Sequence, residues 1–299
     1  MDPRLDRAHG ALAGLIFGWE LGDEAASENG TATASLGEAV LALLASHEPV
    51  GLPTFPSQLS HLQDFYALLI GGLVLGISTS TSGQQAFADA VWNNRKDEEP
   101  NCREFQAAAL VAAAVSLGLD SPNFCVSDVL VRAVDVASSL DARGAWSPEP
   151  DVVAATRRAL NIVSDVNEYV ESPLERLVEQ IGAGDSPSQI IPMAFALAAR
   201  YQDLHLLTSP LHLGAQARMI LSIAGALVGA VRGASLLRPY GYTHIEAVFE
   251  IDLKRRAHGL LANRMPYPGD FLAPGASTPS TGSSAPASLK EIPWNLRTH

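Results

Sequence analysis

Apolar residues recur along this chain at three- and four-residue intervals, the period of a helix with one face against a core. Arg7–Gly18 sets the pattern: Gly10, Ala11, Gly14 and Gly18 share one face and leave it smooth. SLGEAVLALLAS, at Ser35–Ser46, predicts a second amphipathic helix, and a third is expected around Leu59–Ile77 before the polar connector STSTSG. The charged NNRKDEEPN, Asn93–Asn101, reads as a solvated loop. REFQAAALVAAAVSLGLD and SDVLVRAVDVASSLDA follow as helices, the second with Ser127 or Asp128 as its N-cap. PEPDVVAATRRALNIVSDVNEYV, SPLERLVEQIGAG and DSPSQIIPMAFALAARY continue the pattern, the last with Pro192 shaping its first turns. Strand-like alternation is nearly absent, so an all-α, compact multi-helix bundle is expected.

Near the C-terminal end of this pattern lies GAQARMILSIAGALVGAVRG, Gly214–Gly233. Gly225, Gly229 and Gly233 repeat every four residues, which lets a neighbouring helix approach closely. The same helix opens on Gln216 and Arg218, although a helix start favours acids over bases. A final helix with basic residues toward its end is expected within Tyr242–Leu261. Beyond Met265 the chain turns to Pro, Gly, Ser, Thr and Ala, a composition expected to be disordered. The predicted organisation is therefore one helical domain over residues 1–265 and a tail over 266–299, in which Trp294 could dock locally.

Composition narrows the function classes. Hydrophobic residues make up 47% and aromatics only 6% of the 299 residues, as expected of a tightly packed helical protein. A formal net charge of -12 and a pI near 5.0 exclude a phosphate-neutralising surface, so no nucleic-acid partner is expected. The longest apolar runs, Tyr66–Ile77 and Met219–Val231, fall short of the roughly 18 to 20 residues that span a bilayer, and no membrane partner is expected. MDPRLDRAHG has no signal-peptide pattern, and Cys102 and Cys125 have neither metal-ligand spacing nor a disulfide framework; a reducing, cytoplasmic location is the expectation. The eight histidines form no zincin pair; His205 and His212, within ten residues of Gln216, read as structural. Walker and Rossmann glycine loops and a serine nucleophile elbow are likewise missing.

Two segments carry a family resemblance. DRAHGALAGLIFGWELG, Asp6–Gly22, resembles the opening helix of the ADP-ribosylglycohydrolases, R-x-x-G-A-L-x-G-x-x-x-G-D-A-L-G. LGAQARMILSIAGALVGAVRG resembles their C-terminal signature, G-G-D-T-D-T-I-x-x-I-A-G-A-L-x-G-A-x-x-G, and IIPMAFALAAR is similar to the helix before it. The resemblance covers roughly Asp6–Leu261 and implies an orthogonal all-helical fold. It also implies hydrolysis of a glycosidic bond to ADP-ribose in a cleft holding two Mg²⁺ ions, with carboxylates and hydroxyls as ligands.

At the ligand positions this chain departs from the family. The two aspartates of D-T-D-T fall on Gln216 and Arg218, and the closing threonine on Met219. The family's T-D-D-T segment best matches Thr31, Ala32, Thr33 and Ala34, and no aspartate occurs between Asp23 and Asp64. The Gly-Asp after the opening helix is Gly18-Trp19. A guanidinium offers only donors and a fixed positive charge, so it cannot ligate a cation. The expectation is a pseudoenzyme without metal cofactor, whose degenerate site (Trp19, Thr31, Ala32, Thr33, Gln216, Arg218, Met219) takes an ADP-ribose-like or other anionic small ligand, or a protein partner. Arg218 would either supply positive charge to that ligand or turn away to pair with an acid such as Glu28 or Asp203. Two alternatives stand beside it: a hydrolase using displaced acids among Asp23, Glu24 and Glu28, placed in a loop between Gly22 and Thr31, and a structural protein acting through another surface.

Overall fold

The computed structural model describes residues 2–27, 64–94, 100–165, 173–202, 216–236 and 252–264. The described residues are helical with one isolated β-bridge, Asn101 to Ala145, and no strand, so the fold is all-α as the periodicity predicts. Ten α-helices are described: α1 (Pro3–Ser27), α2 (Asp64–Ser78), α3 (Gln84–Asn93), α4 (Cys102–Asp120), α5 (Val126–Ser138), α6 (Val152–Asp165), α7 (Pro173–Gln180), α8 (Pro187–Arg200), α9 (Ala217–Arg232) and α10 (Leu253–Ala262). Met1–Met265 form one compact unit. The helix expected at Ser35–Ser46 lies outside the described residues, as does the tail.

Local chemistry explains where several helices start. Asp2 accepts from the Arg4 N–H at 2.9 Å, and Pro3 takes the first helical position of α1, where its missing N–H costs nothing. Asn101 opens α4 with a capping box: its Oδ1 accepts from the N–H groups of Arg103 (2.8 Å) and Glu104 (3.1 Å), and Glu104 Oε2 accepts from the Asn101 N–H at 2.8 Å. Asp151 and Asp252 cap α6 and α10 through the N–H groups of Ala154 and Arg255, each at 2.8 Å. For α5 the expected cap is corrected: Cys125 is the N-cap, without a side-chain bond, while Ser127 Oγ donates to the Ala199 carbonyl at 3.2 Å. Ser127 is spent on tying α5 to the end of α8.

The core is built on α4, α8 and α9, each buried along nearly its whole length. Small residues bring the backbones together. A Cβ on Gly76 of α2 would lie 2.6 Å from the Ala112 carbonyl oxygen of α4, and one on Gly118 of α4 would lie 3.0 Å from the Ala230 carbonyl oxygen of α9. Among the described residues α4 alone is long and apolar enough to cross a membrane, yet 72% of its span is buried inside the molecule, as in a core helix. α6 packs on α8 and α5 on α4, completing the far side of the bundle.

One arginine fastens α10 to this core. Arg264 Nη1 donates to the carbonyls of Gly76 (2.9 Å), Ile77 (3.1 Å) and Thr79 (2.7 Å), which include the last carbonyls of α2. Its Nη2 donates to Ser116 Oγ at 2.9 Å and to Asp120 Oδ2 at 2.5 Å on α4. Helix C-termini carry partial negative charge, so a guanidinium there is favoured, and the planar fork reaches several acceptors at once. Arg4 Nε on α1 meets the other Asp120 oxygen at 3.3 Å, so one carboxylate joins α1, α4 and the end of α10. Beside it Arg7 donates to the Leu119 carbonyl at 2.8 Å. Burial pulls its pKa below the ordinary value, against the pull of Asp6 and Asp120.

Candidate functional site

α1 and α9 run antiparallel at a separation set by glycine. A Cβ on Gly10 would overlap the Gly229 carbonyl, one on Gly14 the Gly225 carbonyl, and one on Gly18 the Leu221 carbonyl. The converse overlaps, Gly225 onto Gly14 and Gly229 onto Gly10, show the same pairing. Each four residues gained along α1 are thus four lost along α9. One turn beyond Gly18 this register sets residue 22 level with Ala217, the first residue of α9. The last turns of α1 and the first turn of α9 therefore share one end of the helix pair.

Of the sequence-predicted positions, Trp19, Gln216, Arg218 and Met219 lie toward that end. Gln216 is the N-cap of α9 and makes no side-chain cap bond; no acid occupies the first turn. Arg218 is the second residue of the helix, half-buried, with its guanidinium carbon 5.6 Å from the centroid of the Trp19 ring. That distance lies within the range of a cation–π interaction, worth about 0.5–2 kcal/mol depending on exposure. The indole face of α1 supplies the negative potential that the start of α9 lacks, which is why a base is tolerated there. Met219 is buried, so its thioether faces packed protein. One turn below Arg218, Ser222 is buried at 4% exposure and its Oγ has no hydrogen-bond partner. The Ser222 backbone nitrogen would lie 2.8 Å from a Cβ on Gly18, so this hydroxyl belongs to the same tight crossing.

One expectation about the acids is corrected. α1 runs to Ser27, so Asp23 and Glu24 stand on its last turns rather than in a loop. Glu28, Thr31, Ala32, Thr33, Asp203, His205 and His212 lie outside the described residues. The pairing of Trp19 with Arg218, and the presence of Ser222 beside them, did not follow from the sequence alone. The two glycine ladders carried the necessary signal, because aligning them antiparallel sets Gly18-Trp19 against Leu221-Ile220, one turn from Arg218.

A sequence model of the ADP-ribosylglycohydrolase family matches residues 65–264, from the first turn of α2 to just past α10. The chain belongs to the ADP-ribosylglycohydrolase family. It is also similar to the uncharacterized protein YegU of Escherichia coli (strain K12), with 26% identity over 159 residues, or 52% of this chain and 47% of that protein. The chain thus spans about half the length of this curated relative.

The resemblance implies a two-magnesium centre. Mg²⁺ takes hard oxygen ligands, usually carboxylates and waters. At this end of the α1–α9 pair, Gln216 offers one neutral amide oxygen, Arg218 only N–H donors, Met219 a buried thioether and Trp19 an indole N–H. Among the described residues no group of three or more His, Cys, Asp and Glu side chains is arranged to hold a metal ion. These four positions do not fit a magnesium pair.

Proposed function

We propose that this ADP-ribosylglycohydrolase-family chain is a pseudoenzyme: it keeps the ligand cleft of the fold and binds an ADP-ribose-like or other anionic small molecule there without metal and without hydrolysis. The observation that carries the reading is Arg218 on the first turn of α9, held over Trp19 at a position where the family signature has an aspartate. A fixed guanidinium beside the positive end of a helix dipole attracts phosphate or carboxylate, where a carboxylate would have attracted magnesium. Divalent cation and guanidinium are alternative sources of the same positive charge. The guanidinium, however, can neither polarise a bound water as a Lewis acid nor assemble a ribose diol by direct coordination.

The test is calorimetric titration of ADP-ribose into the full chain, together with an assay for release of ADP-ribose from a modified peptide. Binding that weakens about tenfold or more in Arg218→Ala, with no turnover, is the expected result. No heat at millimolar ADP-ribose removes the nucleotide version. A second reading, an active hydrolase using displaced acids, has one specific support: the register that brings the α1 turn bearing Asp23 and Glu24 level with the start of α9. Turnover that persists in excess chelator and disappears in Asp23→Asn or Glu24→Gln would establish it in place of the pseudoenzyme.

A further inference from the structure

Trp146 is the most exposed large apolar side chain described, at 81% exposure, and the loop that carries it is fixed on both sides. Gly144 takes φ +96°, where a Cβ would overlap the Pro100 carbonyl, so only glycine fits this approach. Ala145 is then bridged to the start of α4: its carbonyl accepts from the Cys102 N–H at 2.8 Å and its N–H donates to the Pro100 carbonyl at 3.3 Å. After the tryptophan, Ser147 is buried and the Glu149 carbonyl accepts from Arg103 Nε at 2.8 Å. These bonds fix the backbone beneath the ring, so docking there would order the indole itself and little else of this loop.

The charges around it are unbalanced. Both arginines of this region are committed inward: Arg103 pairs with Asp151 at 3.0 Å, and Arg143 pairs with Asp89 at 2.6 Å while lying over the Phe105 ring. Asp141 and Glu149, five residues before and three after Trp146, have no ion-pair partner among the described residues; Asp141 is exposed and Glu149 partly so. The face of an indole also binds cations better than any other side chain ring does.

We propose that Trp146 anchors a docking surface for a partner protein segment bearing arginine or lysine, whose cationic group stacks on the indole while Asp141 and Glu149 neutralise it. No residue of the α1–α9 crossing takes part in it, and its test does not depend on whether that crossing binds ADP-ribose. The charge complementarity selects the occupant: a basic segment gains both the stacking and the two carboxylates, whereas an acidic one meets repulsion in a chain already at net charge -12.

Random linear peptides selected on the immobilised full chain, with Trp146→Ala as the counter-selection, test this. The expected winners carry arginine or lysine, lose about tenfold or more in affinity on Trp146→Ala, lose a few-fold on Glu149→Gln, and weaken as salt is raised. Trp146→Ala removes an exposed ring, so an unchanged urea midpoint is expected and separates lost binding from lost folding. Neutral or acidic winners, winners indifferent to Trp146, or no winners at all would overturn the proposal. So would concentration-dependent self-association abolished by Trp146→Ala, because the occupant would then be a second copy of the chain.

Discussion

Replacing Gly14 by alanine should destabilise this protein, although alanine is the better helix former. Gly14 lies within α1, where intrinsic propensity alone would favour alanine by about 1 kcal/mol. A Cβ there would lie 2.6 Å from the Gly225 carbonyl carbon and 3.2 Å from the Ala226 nitrogen, with the Gly225 oxygen closer still. Ordinary contact begins near 3.4 Å, so α1 and α9 would have to part by the better part of an ångström. The obstacle is backbone on a buried helix, which cannot rotate aside as a side chain can. Overpacking of this kind costs about 1–3 kcal/mol, and parting the helices also loosens the Gly10–Gly229 and Gly18–Leu221 approaches. Set against the propensity gain, we expect a net loss of about 1–2 kcal/mol, or roughly 2–8 °C in Tm for a domain of this size. The internal control is Gly259 on α10, where a Cβ would meet nothing within 4 Å. Gly259→Ala should stabilise by about 0.5–1 kcal/mol. Urea unfolding of both variants measures the pair, and a Gly14→Ala midpoint equal to or above the wild type would refute the close-approach reasoning.

Further outcomes follow from the charged contacts. Arg264→Ala leaves Asp120 with Arg4 alone and takes a donor from at least three carbonyls, and should cost about 2–4 kcal/mol in urea unfolding; Arg264→Lys should recover only part, because one ammonium cannot span both helix ends. Burial raises the Asp151 pKa, but the Ala154 N–H, the Gln106 amide and Arg103 together outweigh it and hold the carboxyl below its ordinary value. A depressed folded-state pKa contributes stability that is present above the unfolded value, near about 4, and is lost as pH falls through the folded value. Asp151→Asn should therefore flatten the acid limb of the stability curve, measured as urea midpoints between neutral and strongly acid pH. The effect should be small, because Asp151 is 43% exposed and partly screened.

The fold was largely legible because helix period and four-residue glycine spacing are written locally. What escaped was non-local or weakly patterned. α3 was not anticipated, since Phe87, Ala88 and Val91 are its only buried residues and polar residues surround them. α1 was expected to stop near Gly18, because the stretch through Asp23, Glu24 and Ser27 has no apolar repeat of its own. The start of α5 was displaced because Cys125 makes no side-chain cap, while the better capping residue, Ser127, is used by Ala199, 72 positions away. Arg264 gave no sign of its role, since its acceptors lie 144 to 188 positions earlier in the chain. At the candidate site Gln216 and Arg218 stand where the resemblance places two aspartates, an expectation carried by motif spacing alone. The stacking of Arg218 on Trp19 was not, because it depends on the antiparallel register of two helices some 200 residues apart.

ADP-ribose affinity by calorimetry, in excess chelator and again in millimolar Mg²⁺, tests most directly whether Arg218 supplies the positive charge that holds the ligand. If Arg218 has taken the place of the metal, the two affinities agree within about twofold, and both fall in Arg218→Ala. Binding that appears only with Mg²⁺, or release of ADP-ribose from a modified peptide once Mg²⁺ is added, would contradict the account.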